Sequence, residues 1–156
     1  MSSIEERVDQ LEQLVRDVVA RDEIRELTAD YCRQVMRGDG EGVVALFTDD
    51  ASLVTHFPEG SGVDDAESKG VEALRESYSD LGAMRLKPCV HNHIVEVEGD
   101  TARSFSSVEI RLSQKGEPFT GAGHYEDEYR RVNGKWKFQR RELFVYHWVP
   151  YTEGWA

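Results

Sequence analysis

The stretch YRRVNGKWKF, Tyr129 to Phe138, decides the fold class. At its centre Val132-Asn133-Gly134 carries an Asn-Gly pair, which is the strongest short-range signal for a β-hairpin turn. On both sides of this turn, apolar and polar residues alternate with a period of two, as is typical of β-strands. The pattern therefore predicts two long antiparallel strands, Phe119–Val132 and Lys135–Trp148.

The same alternation continues towards the N-terminus and then changes. It predicts strands over His91–Glu98 and Ala102–Ser113, with turns at Glu98-Gly99-Asp100 and Gln114–Glu117. Before Lys87 the apolar residues recur at helical spacing. Helices followed by an antiparallel meander predict an α+β fold, with helices packed on one face of a curved sheet. The predicted early elements are a helical run Ile4–Val18, a second helix with Asp22 as its N-cap that ends at Arg37–Gly40, a short helix Gly42–Phe47, a strand Ala51–Phe57, a loop Pro58–Asp65 and a helix Gly70–Leu81.

Composition limits the class of protein. With 156 residues, 39% of them hydrophobic, the chain is predicted to form one domain, 1–156, with a proper core. The formal net charge of −11 argues against nucleic acid and against anionic membrane surfaces as partners. There is no long apolar run, and the acidic start MSSIEERVDQ is unlike a signal peptide. These features predict a cytoplasmic protein.

The two cysteines and the absence of common motifs argue against metals and cofactors. Cys32 and Cys89 have no CxxC partner, so zinc and disulfide frameworks are unsupported, and both are predicted to be core thiols. The sequence contains no Gly-rich phosphate loop, GxSxG elbow or HExxH motif. We therefore expect no cofactor and no metal, with any chemistry supplied by side chains alone.

Three segments carry a resemblance to a known family. They are RDEIRELTADYCRQVMRGDGEGVVALFTDDASLV (21–54), VEVEGDTARS (95–104) and GAGHYEDEYRRVNGKWKFQRREL (121–143). Together they resemble the SnoaL-like branch of the NTF2-like superfamily, which includes scytalone dehydratase, a bile-acid dehydratase, a dehydrochlorinase and polyketide cyclases. The resemblance implies a conical α+β barrel around a pocket, a small hydrophobic or aromatic substrate, no cofactor, and a homodimer or homotrimer.

The resemblance also assigns individual residues. Dehydratase-like members carry a Tyr or Lys on the first long helix and an Asp five residues later; Tyr31 matches the former, but Met36 stands at the latter. Alignment on VEVEGDTA places Pro88 where the family has its catalytic histidine. The usual Asp–His pair is therefore missing. Tyr125 matches a position that lines the pocket in relatives, and Arg141 matches one where a relative keeps a cavity arginine.

Two histidines offer a replacement base. In CVHNHIVEVE, His91 and His93 stand two residues apart at the head of a strand, which predicts that they share one face with Val95 and Val97. An ordinary histidine pKa of ~6.5 suits proton transfer near neutral pH. The alternative is that both are polar residues at the pocket rim or at a subunit contact. Two such ligands without a third and fourth do not indicate a metal site.

The predicted function is that of a cofactor-independent lyase or isomerase acting on a hydroxylated or carbonyl-bearing cyclic or aromatic compound. His93 or His91 would move the proton, Tyr31 and Tyr125 would orient the substrate oxygen, and Arg141 would stabilise its developing charge. Tyr31 fits a core position equally well, and Arg141 fits a surface arginine that balances the 30 carboxylates.

Two other functions stay open at this point. A non-catalytic binder of a hydrophobic small molecule would explain the missing Asp–His pair directly. An assembly module would instead use the amphipathic helix Ile4–Val18 and the aromatic tail FVYHWVPYTEGWA for contacts. Whether the chain is an enzyme is thus left undecided by the sequence.

Overall fold

The computed structural model describes residues 3–153, which form four α-helices and one six-stranded sheet. No helix within this range is long and apolar enough to cross a membrane. The last three residues of the predicted aromatic tail, 154–156, lie outside the described residues. In chain order the elements are α1 (Ile4–Arg37), α2 (Gly40–Val44), β1 (Phe47–His56), β2 (Ala66–Lys69), α3 (Val71–Ser77), α4 (Leu81–Met84), β3 (Lys87–Glu98), β4 (Thr101–Gln114), β5 (Glu117–Val132) and β6 (Lys135–Pro150), followed by a 3-10 turn (Tyr151–Glu153).

Helix α1 is one continuous helix with a clear start and stop. Ser3 caps its N-terminus: the Glu6 amide donates to Ser3 Oγ at 3.1 Å, and the Ser3 amide donates back to the Glu6 carboxylate at 2.8 Å. It ends at Gly38, whose φ of 72° is left-handed. The predicted break with Asp22 as N-cap is wrong, because no glycine or proline interrupts the run and the helix continues through that residue.

The curved sheet has the order β2-β1-β6-β5-β4-β3 and does not close on itself. Strands β3 to β6 form the predicted antiparallel meander, and the α+β conical fold is confirmed. Strand β1 pairs with β6 in parallel, which the sequence analysis did not predict. The predicted helix Gly70–Leu81 is instead two short helices, α3 and α4, which flank Tyr78.

Bulges in the meander decide which side chains face the helices. Register shifts between strands leave Asn92 of β3 (φ 53°), together with Gln139 and Tyr146 of β6, as extra residues. Each bulge reverses the inward and outward alternation beyond it and bends the strand. Close approach at one bend requires glycine, since a Cβ at Gly123 would lie 2.1 Å from the Phe144 carbonyl oxygen.

The concave face of the sheet packs against α1 to α4 and forms the hydrophobic core. Trp136 and Phe138 of β6 are buried there. Cys32 on α1 is buried too, but the prediction of a core position for Cys89 is wrong. On β3 the buried residues are Pro88 and Val95, and Val95 lies beyond the bulge. Cys89 directly follows the inward-facing Pro88, so its side chain lies on the outer face.

Candidate functional site

The bulge at Asn92 separates the two candidate histidines. His91 pairs with Ser107 and Ile94 pairs with Phe105, and on β4 both partners alternate with inward-facing buried residues. His91 is therefore exposed on the outer face, and the prediction that it shares a face with His93 is wrong. The catalytic role predicted for His91 stays a prediction, but its side chain does not reach the interior.

His93 lies on the concave face and is half-buried. Its Nε2 atom is fully buried and has no hydrogen-bond partner among the described residues. Burial lowers the pKa of His93 to about 4, and the charges of Arg141 and Arg25 lower it in the same direction. The imidazole is therefore neutral at pH 7, which is the form that accepts a proton.

Arg141 is fully buried, on the concave face of β6. The extra residue Gln139 brings it there, because regular alternation after Phe138 would have turned Arg140 inward instead. The Arg141 guanidinium carbon lies 3.7 Å from the ring centre of Tyr125, 4.0 Å from that of Tyr31 and 4.6 Å from that of Phe138. Such cation–π contacts stabilise a desolvated cation.

The nitrogens of this guanidinium are without hydrogen bonds among the described residues. Nε, Nη1 and Nη2 of Arg141 form no hydrogen bond within residues 3–153. Burial alone would lower the pKa of Arg141, but the Asp127 carboxylate and the surrounding tyrosines raise it above its usual value, so the group stays charged. Arg141 thus presents several N–H donors of a permanent cation in an interior where each unpaired donor is costly.

Asp127 is a residue at this site that the sequence analysis did not propose. It lies opposite Arg141 in the β5–β6 ladder, with Oδ1 3.5 Å from Arg141 Nε, which is too poorly aligned to count as a hydrogen bond. Its Oδ2 accepts from the Tyr129 hydroxyl at 3.2 Å. Burial raises the pKa of Asp127 above its usual range. The alternation of Tyr125, Asp127 and Tyr129 was a usable signal that this carboxylate faces inward.

Tyrosines complete the walls of the site. The Tyr31 hydroxyl on α1 lies 3.2 Å from the hydroxyl of Tyr78, which follows α3. Burial raises the pKa values of Tyr31, Tyr78 and Tyr125, so all three phenols are neutral. Tyr31 and Tyr125 also contact each other edge to face, at 6.4 Å between ring centres. Three of the five predicted site residues, Tyr31, Tyr125 and Arg141, are therefore in direct contact.

One more buried group belongs to the same face. Ser106 on β4 is fully buried, pairs with Tyr125 and lies opposite the bulge that carries His93; its hydroxyl has no described partner. We call His93, Ser106, Asp127 and Arg141 the inner polar set. Within residues 3–153 no three or more His, Cys, Asp or Glu side chains are grouped to hold a metal ion.

The geometry can be compared with known proteins. A model of the SnoaL-like domain matches residues 16–142, most of the chain. The chain belongs to the SnoaL-like family. In the alignment, Met36 stands where dehydratase-like members have an Asp, and Pro88 stands where they have a histidine. Met36 is 51% exposed and Pro88 is buried. This SnoaL-like chain thus carries its inner polar set on the strands β3 to β6 rather than on the first helix.

Solved structures share the fold of this SnoaL-like chain. An NTF2-like protein with a cystatin-like fold from Novosphingobium aromaticivorans is 25% identical, over 94% of this chain and 92% of its own, with a TM-score of 0.68. A protein from Novosphingobium aromaticivorans DSM 12444 named after scytalone dehydratase is 22% identical, over 86% and 89%, with a TM-score of 0.74. A type 2 hexachlorocyclohexane dehydrochlorinase (LinA) is 22% identical, over 85% and 89%, with a TM-score of 0.72. A search of curated proteins returns no match.

Proposed function

We propose that this chain is a lyase or isomerase that needs no cofactor and acts on a hydroxylated or carbonyl-bearing cyclic or aromatic compound. The observation that carries the proposal is the inner polar set, in which each residue has at least one buried nitrogen or oxygen atom without a hydrogen-bond partner among the described residues. Buried polar groups in proteins are nearly always hydrogen-bonded, to protein or to water. An oxygenated ligand on this face would supply the missing acceptors. Membership of a family that includes dehydratases supports the same class of reaction.

Arg141 is the proposed site for the substrate oxygen. Its charge is held away from water and against the rings of Tyr31 and Tyr125, so a negative oxygen near it would be strongly stabilised. Enolates and departing alkoxides both develop such an oxygen. The neutral phenols of Tyr31 and Tyr125 would orient it by hydrogen bonding.

His93 is the proposed base. As a neutral imidazole with a free Nε2 atom, it would take a proton from a carbon next to a carbonyl. The C–H electron pair would move to the oxygen, giving an enolate beside Arg141. Return of the proton to another carbon completes an isomerisation. Its delivery to a departing β-hydroxyl group completes a dehydration with release of water. Because the pKa of His93 is low, the reaction depends on Arg141 to stabilise the enolate.

The test is turnover of a panel of cyclic β-hydroxyketones and unsaturated cyclic ketones by purified protein. His93→Asn is expected to reduce kcat about 100-fold or more on any substrate found, the usual contribution of a general base. His91→Asn is the matched control, since this side chain lies on the outer face, and should retain full activity. Full turnover by His93→Asn would contradict the assignment of the base.

A second function, non-catalytic binding of a hydrophobic small molecule, is favoured by one observation. Met36 and Pro88 occupy the aligned places of the family's catalytic acid and histidine, so the usual elimination machinery is missing. In that case ligands would bind without turnover, and Arg141→Met would weaken binding while His93→Asn would not. Assembly as a homodimer or homotrimer and a cytoplasmic location remain part of either proposal.

A further inference from the structure

The first four turns of α1 expose a row of apolar side chains. Burial of this helix against its own domain begins at Ala20. Apolar residues at this density on a solvent-facing helix mark an interaction surface rather than a random exposure. The exposed members and their exposed fractions are Ile4 80%, Val8 45%, Leu11 60%, Leu14 56%, Val15 59%, Val18 53% and Val19 49%.

These residues follow a heptad repeat. The spacings from Ile4 to Val8, Leu11, Val15 and Val18 are four, three, four and three residues, which is the pattern of a coiled-coil seam. The β-branched Val8 and Val15 fall at the a positions, and the other three fall at the d positions. Valine at a combined with leucine at d favours two strands in a parallel coiled coil, and the central d position here is Leu11. We call these five residues the α1 seam.

The α1 seam faces away from the protein's own domain. Further along the same helix the residues buried against the domain are Ala20, Ile24, Thr28, Tyr31, Cys32 and Val35. At 3.6 residues per turn, the centre of that buried row lies about 150° around the helix from the centre of the seam. The domain therefore cannot cover the seam without breaking α1, and a partner can approach it freely.

The charges beside the seam specify the orientation of the partner. Positions e hold Glu5, Glu12 and Val19, while positions g hold Arg7, Leu14 and Arg21. In a parallel pair each g side chain faces e of the next heptad on the other helix, so Arg7 would meet the partner's Glu12 and Leu14 would meet the partner's Val19. An antiparallel pair opposes e with e and g with g, so the attraction between Arg7 and the partner's Glu12 would be lost.

We propose that residues 4–18 of two copies of this chain form a parallel two-stranded coiled coil. The seam is about 22 Å long at 1.5 Å per residue. So short a coiled coil would be marginal for free peptides, but here each helix is already capped by Ser3 and anchored by its domain. Two identical domains would then lie side by side at the C-terminal end of the pair. The SnoaL-like match begins at residue 16, so most of the seam precedes the family domain.

The test is sedimentation equilibrium of the full chain with charge-reversal variants. Arg7→Glu alone and Glu12→Arg alone are each expected to raise the dimer dissociation constant at least fivefold, because each places like charges face to face. The double variant Arg7→Glu/Glu12→Arg restores opposite charges and should return to within about twofold of the wild type. Asp9→Arg, a reversal at an outward b position, is the matched control and should have no effect. Equal dissociation constants in all variants, or a double variant as weak as the singles, would overturn the proposal.

A second measurement separates this surface from any other. Leu11→Glu should make the chain monomeric with its helix content unchanged, since Leu11 is outside the core. In a Cys89→Ser background, Ile4→Cys should form an interchain disulfide on mild oxidation, because identical d positions meet only in a parallel pair. A dimer that survives Leu11→Glu, a wild type that is monomeric at all concentrations, or the lack of a crosslink would each contradict the parallel seam.

Discussion

Arg140 and Arg141 are neighbours in the sequence but face opposite sides of the sheet. Arg140, on the outer face, donates to Glu142 and to Ser52 Oγ, and forms an ion pair with Glu67. Arg141, on the inner face, is fully buried; its guanidinium forms an ion pair with Asp127 but no hydrogen bond among the described residues. The outer arginine is thus hydrogen-bonded by the protein itself, whereas the inner one forms no hydrogen bond within the described residues.

The histidines on the two faces differ in the same way. His56, on the outer face, lies between two carboxylates, with Nδ1 2.7 Å from Asp65 and Nε2 2.9 Å from Glu142, and stacks on Phe144. The hydrogen bonds to Glu142 and Asp65 raise its pKa. Within the described part of the chain His93 has no carboxylate partner, and burial lowers its pKa. Arg140 and His56 on the outer face are therefore paired within the protein, while Arg141 and His93 on the inner face keep buried nitrogens without hydrogen-bond partners among the described residues.

The largest expected effect follows from removing one arginine of the pair. Arg141→Met should destabilise the protein by about 3–5 kcal/mol, because it leaves the Asp127 carboxylate buried without its counter-charge. Arg140→Met, the matched control on the outer face, should cost less than about 1 kcal/mol. Urea unfolding of both variants measures the difference.

The double variant Asp127→Asn/Arg141→Met refines this comparison. Removing both charges should recover most of the stability lost in Arg141→Met, since no uncompensated buried charge remains. Equal costs for Arg140→Met and Arg141→Met would show that the two faces do not differ as described.

The next effect concerns the bulge that separates His91 from His93. Asn92 has a φ of 53°, a left-handed conformation that a β-branched side chain adopts only with strain. Asn92→Val should cost about 1–2 kcal/mol in chemical denaturation, whereas Asn92→Gly should be close to neutral because glycine adopts this conformation freely. A neutral valine variant would argue against the bulge at this position.

A smaller effect is the pH dependence of the free energy of unfolding that His93 causes. Its folded pKa of about 4 lies below the unfolded value of about 6.5, so the unfolded chain binds more protons between these values. As the pH falls from 6.5 towards 4, the free energy of unfolding of the wild type should fall by about 1 kcal/mol relative to that of His93→Asn. This figure is reduced from the full pKa difference because His93 is only half-buried and solvent screens its charge. The free energies of unfolding of the two proteins, compared across this range, give the result. A constant difference would mean that His93 is not desolvated.

The smallest effect belongs to His56 and has the opposite sign. Because its folded pKa is raised above the unfolded value, its contribution to stability is present below about pH 6.5 and is lost as the pH rises through the folded value. An NMR titration should therefore show two well-separated histidine resonances, that of His56 titrating above the ordinary value and that of His93 below it. The reverse order would contradict the assignment of the two faces.

How far the sequence predicted this structure depends on the range of the interactions involved. The Asn133-Gly134 turn and the strands beside it were predictable, because turn chemistry and alternation are local properties, and both residues do have positive φ. The parallel pairing of β1 with β6 joins segments about 90 residues apart and has no local signal. It could only be found in three dimensions.

The candidate site shows the same division. The inward orientation of the Tyr125 side chain could be predicted from strict alternation. The inward orientation of Arg141, in contrast, depends on the extra residue Gln139, and the outward orientation of His91 depends on Asn92. A one-residue shift exchanges the faces of every later side chain, and alternation alone does not reveal it. The Asp127–Arg141 pairing also required knowledge of the register between β5 and β6.

Binding of 4-nitrophenol tests most directly whether the inner face holds an oxygen anion. Its absorption spectrum distinguishes phenol from phenolate, so a titration reports both affinity and charge state. The wild type and Arg140→Met are expected to bind it as the phenolate with equal affinity, and Arg141→Met should bind at least tenfold more weakly. Absence of binding to the wild type, or equal binding by Arg141→Met, would contradict the proposal that the inner polar set is an oxyanion site.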